Sequence, residues 1–208
     1  MVKSEVVLID KLTGLKKFKV RSDQRKTFVI YLTGNDNRTG SLEIAIDGSR
    51  SQVDILGFIL GRGKQTLKLT TLQDHLKEQS VSDLLIKSVL FDSSRLYYEG
   101  TIRIRKGAQK SNAYQKNDNI LMSKGTWADS RPKLEILAND VRCTHGATVG
   151  RIDDEQLYYL KTRGLTGAKA SVLVLSGFFR QAAERIDDLK IRQQLTMDLD
   201  NKIGRLVV

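Results

Sequence analysis

The first 150 residues alternate apolar and polar side chains along short segments. In Ser41–Asp47, Leu42, Ile44 and Ile46 alternate with polar or small residues, a period of two that is typical of a half-buried β-strand. Such segments recur about every ten residues, separated by turn-forming runs such as Gly34–Gly40. We predict strands at Val2–Ile9, Phe18–Arg21, Thr27–Leu32, Ser41–Asp47, Val53–Leu60, Thr66–Leu72, Asp83–Phe91, Arg95–Tyr98, Thr101–Lys106 and Val141–Val149, with short apolar runs at Ile120–Met122 and Leu134–Leu137.

The pattern changes after Arg151, where apolar residues recur every three to four positions, as on one face of an α-helix. We predict three helices, the first ended by Gly164 and the second reaching Ile186. Their predicted N-caps are Asp153, then Thr166, then Asp187 or Asp188. The chain therefore divides into a β core over residues 1–150 and a small helical region over residues 151–208.

Strand spacing does not choose between β architectures. Short strands at this spacing occur in sandwiches, in barrels and in β-helices. The pattern predicts a mainly β protein and leaves these three open.

Composition excludes several classes of protein. A single cysteine rules out an internal disulfide framework and is typical of a reducing compartment. No apolar run approaches the ~20 residues that a membrane-spanning helix needs, and the first residues do not resemble a secretory signal. We therefore expect a cytoplasmic protein.

The net charge of +11 raises the possibility of a nucleic-acid surface. However, acidic residues are interleaved along the chain, no block of five or six like charges occurs, and no aromatic residues interrupt a basic run. A solvated basic surface, or one that meets an acidic protein, is favoured over a nucleic-acid face.

Cys143 and His145 are the main candidates for chemistry. They alternate with polar residues on a predicted strand, so their side chains share one face together with Ala147 and Val149. A thiol and an imidazole so close could bind one metal ion or cluster. A cysteine on a strand is also often inert packing, and the residues alone favour that reading.

Other motifs give weaker indications of function. Gly61–Lys64 resembles a phosphate-binding loop, but Phe58 and Gln65 stand where that motif needs Gly and Ser or Thr, so we predict a basic turn. His75 is expected to be a structural hydrogen-bonding residue. Two histidines without a Ser-His-Asp arrangement give no case for hydrolysis.

Several blocks, in order, resemble the SufB/SufD family of iron–sulfur cluster assembly proteins. The resemblance covers roughly residues 70–185. The blocks are Asp74-His75, Ser82–Asp92, Gly100-Thr101-Ile102, Gly107-Ala108-Gln109, Gln115–Ser123, Pro132–Ile136, Cys143–Thr148, Asp154–Leu160 and Arg163-Gly164.

The resemblance implies a right-handed parallel β-helix core followed by helices. SufB-like members carry a cysteine near Asn117 and an acidic residue where this chain has Gly146, so the chain resembles SufD more closely. It is short for the family, and we expect it to lack the N-terminal region that precedes the β-helix in other members.

The resemblance also implies a non-catalytic role. In SufD-like members a Cys-x-His pair lies at the interface with a SufB-like chain, which makes Cys143 and His145 candidate ligands of a transient iron–sulfur cluster. The pair supplies two ligands of the roughly four that a cluster takes, so others must come from a second chain. Whether a flavin takes part is left open.

A SufC-type ABC ATPase is the other implied partner, since the region after the β-helix binds it in this family. The matching residues are Glu155, Gln156, Tyr158, Tyr159, Arg163 and Gly164. Tyrosine and arginine are common interface residues, although we expect one of the two tyrosines to pack the helix onto the β core.

Two alternatives to the accessory subunit remain. The chain could act alone as a homodimeric cluster scaffold. It could also be a basic β-rich module that binds nucleic acid or an acidic protein.

Overall fold

The fold was obtained as a computed structural model that describes residues 4–207. These residues form eleven strands followed by three helices. The strands are β1 (Glu5–Ile9), β2 (Gly14–Val20), β3 (Arg25–Leu32), β4 (Arg38–Ile46), β5 (Gln52–Gly61), β6 (Thr66–His75), β7 (Val81–Leu90), β8 (Arg95–Ile104), β9 (Asn112–Leu121), β10 (Trp127–Ile136) and β11 (Arg142–Gly150). The helices are α1 (Asp154–Thr162), α2 (Gly167–Ala183) and α3 (Leu189–Leu206).

The strands wind into a parallel β-solenoid. Odd-numbered strands form a six-stranded sheet in the order β1-β3-β5-β7-β9-β11, and even-numbered strands form a five-stranded sheet in the order β2-β4-β6-β8-β10. All neighbours are parallel, so the chain crosses from one sheet to the other after each strand and makes about five turns. The predicted β-helix with C-terminal helices is confirmed. Of the first predicted strand, Val2 and Lys3 lie outside the described residues.

The period-two pattern fills the inside of the solenoid. In β4, Leu42, Ile44 and Ile46 are buried, while the residues between them face outward. In the next turn of the same sheet their register partners are Thr71, Gln73 and His75, also buried, so the interior changes from apolar to polar along the solenoid.

A column of left-handed residues forms the corner that leads from the five-stranded to the six-stranded sheet. Asp23, Arg50, Gln79 and Lys110 occupy equivalent positions in successive turns, with φ between 56° and 59°. Backbone bonds link one corner to the next, as from the Gln79 amide to the Gln109 carbonyl at 2.8 Å. A left-handed residue reverses the chain tightly, so the same corner recurs without glycine.

Two strand predictions were wrong. Arg95–Tyr98 and Thr101–Lys106 are parts of one strand, β8, which continues through Gly100. A Cβ at Gly100 would collide with the Tyr98 hydroxyl and the Gln115 amide, so the glycine allows close packing and does not end the strand. Of the apolar run Ile120–Met122, the first two residues are only the end of β9, whose earlier residues are mostly polar, and Met122 follows the strand.

The helices begin close to the predicted caps. Asp153, Thr166 and Asp188 each accept backbone N–H bonds from the first turn of their helix, and Gly164 follows α1 with φ of 89°. The second helix ends at Ala183, three residues earlier than predicted.

Helices α2 and α3 cover the outer face of the six-stranded sheet. Phe58 packs against Phe179 with ring centroids 6.2 Å apart, and both side chains are almost fully buried. This second core joins the helices to the strands. None of the helices among residues 4–207 is long and apolar enough to cross a membrane.

Candidate functional site

Cys143 and His145 lie on the edge strand β11, which is paired only with β9. In the register, Cys143 lies beside Ala113 and His145 beside Gln115. Ala113 and Gln115 point into the solenoid, so Cys143 and His145 lie on the same inner face, as the alternation predicted. Among the described residues no further strand covers this face, and therefore Cys143 is half-buried and His145 is exposed.

The thiol of Cys143 has an apolar environment. It packs at the edge of a small cluster that includes Ile102, Ile104, Ala113 and Ala138. Burial raises the pKa of the Cys143 thiol above its ordinary value. The free thiol is therefore protonated at neutral pH, and a metal ion would have to displace the proton to bind the thiolate.

The pair alone is not a complete metal centre. Within residues 4–207, no group of three His, Cys, Asp or Glu side chains is placed to hold a metal ion. Residues two apart on a strand are separated by about 6.6 Å, a distance that both side chains can span toward one cluster. Any further ligands would have to come from another molecule.

The far end of β11 is anchored to the turn beneath it. The Thr148 hydroxyl donates to the Asp118 carboxylate at 2.8 Å, and the Asn119 side-chain amide donates to the Thr148 carbonyl at 3.0 Å. Within the described chain, the side chains of Cys143 and His145 make no hydrogen bond. Side-chain hydrogen bonds thus reinforce the backbone pairing of β11 at Thr148, whereas at the candidate pair the backbone pairing stands without them.

A polar layer lies inside the solenoid below the pair. Gln115 donates to the Gly100 carbonyl at 3.1 Å, but its side-chain oxygen has no partner in the described structure. Gln73 is fully buried with neither amide atom bonded, and the Tyr98 and Thr71 hydroxyls lie 2.8 Å apart. Buried amides of this kind cost stability unless solvent reaches them.

His75 is a structural residue, as expected. Its two ring nitrogens lie 2.7 Å and 2.8 Å from the hydroxyls of Ser80 and Ser82, and the ring is fully buried. Burial lowers the pKa of His75 to about 4, so the imidazole is neutral and uses one nitrogen as donor and the other as acceptor.

The residues predicted to bind an ATPase lie on and just after α1, an exposed helix. Tyr158 is 71% exposed and Tyr159 is 56% exposed, so the expectation that one of them packs onto the β core was wrong. The Arg163 guanidinium lies 5.2 Å from the centroid of the Tyr159 ring. Tyr159 also lines a groove of about 480 Å³ between α1 and α2, together with Asp153, Glu155, Gln156, Leu160, Leu173 and Val174.

A buried lysine on β7 contacts α2, and the sequence reading did not single it out. Lys87 donates to the Gln181 side chain at 2.6 Å and lies 4.1 Å from the Phe178 ring centroid, both on α2. Its register partner is Asp118, which in turn binds Thr148. The sequence did contain a signal for this residue, because Lys87 is a charged residue inside the apolar run Asp83–Phe91.

Comparison with known proteins agrees with the fold. The family described as SUF system FeS cluster assembly, SufBD core domain, matches residues 13–178. The chain is 32% identical over 158 residues to the iron-sulfur cluster assembly protein SufD of Escherichia coli K12, covering 76% of this chain and 37% of that protein. It is 33% identical over 156 residues to SufD of Bacillus subtilis, covering 75% and 36%.

A third relative extends the match. A SufBD family protein of Mycobacterium bovis is 30% identical over 183 residues, which are 84% of this chain and 46% of that protein. The chain spans less than half the length of these curated relatives. Because the family match covers well over half of the chain, this protein belongs to the SufB/SufD family of iron–sulfur cluster assembly proteins.

Proposed function

We propose that this chain is a non-catalytic subunit of an iron–sulfur cluster assembly complex. It pairs with a SufB-like chain at the open end of the solenoid, where Cys143 and His145 contribute two ligands to a cluster under construction. It binds a SufC-type ABC ATPase through α1 and α2. Among its relatives, the Escherichia coli and Bacillus subtilis proteins are named SufD, which is the basis for the partner assignment.

The observation that carries the proposal is the uncovered inner face of β11. In earlier turns the equivalent side chains are buried by the next turn, whereas His145 is exposed. Ile136, Leu137 and Val149 at the same end are 43%, 61% and 47% exposed. Exposed apolar side chains and unpaired strand edges are both features that a second chain can cover.

A shared site agrees with the number of ligands. A four-iron cluster takes about four protein ligands, and this chain offers two at β11. A partner that caps the solenoid would bring its own ligands beside Cys143 and His145. The cluster would then be buried between the two chains.

The groove between α1 and α2 is the proposed ATPase site. It combines the exposed Tyr159 with Leu173, which is 53% exposed, and with the acidic Glu155. Aromatic residues at the centre of an interface with polar groups at its rim are typical of tight protein contacts. ATP hydrolysis belongs to the partner, and movement of α2 would reach β11 through Lys87, Asp118 and Thr148.

The proposal is tested by light scattering behind a sizing column, with this chain mixed with the SufC-type ATPase, with and without the SufB-like chain. We expect a ternary complex only when all three are present. A stable complex of two copies of this chain with the ATPase would instead favour the homodimeric scaffold. A chain that runs alone in every mixture would contradict both.

Substitutions separate the two surfaces. Cys143→Ser with His145→Ala should abolish cluster formation by the complex, seen as loss of the sulfide-linked absorbance, while the complex still assembles. Thr144→Ala, between them on β11, is the matched control. Cluster formation at the wild-type rate in the double variant would refute the ligand role.

Tyr159→Ala should weaken ATPase binding. Tyr114→Ala, which changes another exposed tyrosine, should not.

A further inference from the structure

The outer face of the five-stranded sheet is exposed and carries two kinds of surface. Over most of it each cation has an acidic neighbour on the same face. Lys17 pairs with Glu43 at 2.8 Å, and Lys133 pairs with Glu99 at 2.9 Å. Arg131 pairs with Asp129 at 2.7 Å. This part of the face is balanced in charge.

The end of the face where the strands begin is different. Thr66, Arg95 and Trp127 form the first row across β6, β8 and β10. Lys68 and Tyr97 lie two residues further along β6 and β8. The Tyr97 and Trp127 rings are 4.8 Å apart between centroids, and the Lys68 amine lies 5.8 Å from the centroid of Tyr97. Trp127 is exposed and Tyr97 is half-buried, and the pair lies beside Lys68 on β6 and Arg95 on β8.

The turns that lead into these strands add positive charge. Lys64 precedes β6 and Lys124 precedes β10, and both are exposed. In the part of the chain that the structure describes, Lys64, Lys68, Arg95 and Lys124 take part in no ion pair. The nearest acid in these turns, Asp92, accepts the Gly63 N–H at 2.7 Å.

A groove of about 550 Å³ begins beside the aromatic pair and runs along the strands. Thr66, Lys68 and Tyr97 line one end of it, and Thr70, Glu99, Asp129 and Arg131 line the remainder. The groove thus runs from the unpaired Lys68, past the Tyr97 ring, to a hydroxyl and two carboxylates, each of which also has a basic partner. Its volume lies in the range of small-molecule sites, about 300–1,000 Å³.

We propose that this groove binds a nucleotide. A planar base stacks on Trp127 and Tyr97, and its phosphates lie among Lys64, Lys68, Arg95 and Lys124. Thr70 and Asp129 accept hydrogen bonds from amino or hydroxyl groups of the base and sugar. Stacking on an aromatic side chain, combined with cations for the phosphates, is how proteins hold nucleotides that are not read by sequence.

A free nucleotide and the end of a single-stranded nucleic acid both present a base with phosphates, so either could be the ligand. The groove is short and is bounded by the paired charges of the following rows, which favours a ligand of one or two nucleotides. The proposal that this groove binds a nucleotide does not depend on the proposed role in cluster assembly.

Trp127 provides the test, because it is the only tryptophan of the chain. Its fluorescence in the full chain is titrated with ATP, adenosine, inorganic triphosphate and a short oligothymidylate. We expect saturable quenching by ATP that weakens as salt is raised, and weaker binding of adenosine and triphosphate. Tighter binding of the oligothymidylate than of ATP would support the site and assign it to single strands.

Variants identify the groups involved. Lys68→Ala and Arg95→Ala should each weaken ATP binding about tenfold, since each removes a charged contact to phosphate. Lys17→Ala removes a paired cation on the same face, and neither Lys17 nor its partner Glu43 lines the groove, so it should leave ATP binding unchanged. Trp127→Ala is measured by equilibrium dialysis, and circular dichroism checks that every variant folds. Absence of saturable binding, equal affinity for triphosphate and ATP, or equal loss in Lys17→Ala would overturn the proposal.

Discussion

The two sheets of the solenoid have the same inner pattern but different outer faces. The six-stranded sheet carries large apolar side chains outward, such as Leu56, Phe58 and Val89, and two helices bury them. The five-stranded sheet carries charged side chains outward, and among the described residues no helix covers them. The comparison shows that the outward residues decide whether a face of the solenoid is covered by helices or left exposed.

Loss of the Phe58 side chain, on the helix-covered face of the six-stranded sheet, should have the largest effect on stability. Phe58 is fully buried between β5 and α2 and packs on Phe179. Phe58→Ala should lower the free energy of unfolding by about 3–5 kcal/mol, because it leaves a cavity between sheet and helix. Urea unfolding followed by circular dichroism measures the loss. A loss below about 1 kcal/mol would mean that the helices are not bound to the sheet by this contact.

The buried Lys87, which contacts α2, should make stability depend on pH. Burial lowers the pKa of Lys87 to about 8, against 10.5 when exposed, while Asp118 opposes and Lys116 reinforces the shift. Between these two values the unfolded chain binds more protons than the folded chain. Stability therefore rises as pH increases from about 8 to about 10.5, by up to about 3 kcal/mol.

Lys87→Met is the matching variant, since methionine fills the same space without charge. It should remove this pH dependence and raise stability at pH 7 by about 1–3 kcal/mol, because a buried charge is no longer desolvated. Unfolding of both proteins across this pH range makes the comparison, because the two proteins share every other ionisable group. The same pH slope in the variant would show that Lys87 is not the group responsible.

The exposed face should tolerate loss of a charge. Lys133 pairs with Glu99, but both side chains are substantially exposed, at 52% and 40%. Lys133→Ala should therefore change the free energy of unfolding by less than about 1 kcal/mol. Chemical unfolding in low and high salt measures the change. A loss comparable to that of Phe58→Ala would mean that the paired charges, too, hold the solenoid together.

The sequence predicted the type of most elements but not the architecture. Alternation located β4, runs of apolar residues located β5 and β7, and capping residues located all three helices. The apolar pattern missed most of β9 because the inward positions there are Gln115, Asn117 and Asn119, whose side-chain amides donate hydrogen bonds inside the solenoid. The choice of a β-helix came from the family resemblance, since spacing alone fits several β folds.

The candidate sites also differ in how far they could be predicted from the sequence. Cys143 and His145 are close in sequence, so their shared face could be predicted from alternation. Lys87 lies beside Asp118, and Tyr97 meets Trp127, only because successive turns stack. The absence of aromatic residues within any basic run was therefore a poor guide to the surface, since this fold assembles surfaces from residues about thirty positions apart.

The column of left-handed corner residues also bears on how such proteins change length. Asp23, Arg50, Gln79 and Lys110 mark the same point of four successive turns and lie 27 to 31 residues apart. Because each corner meets the next with the same backbone shape, a segment from one corner to the next is a unit that can be copied or removed whole. A gene duplication confined to one such unit would lengthen the solenoid by a turn and carry the open end, with Cys143 and His145, further from the N-terminus without redesign of either end.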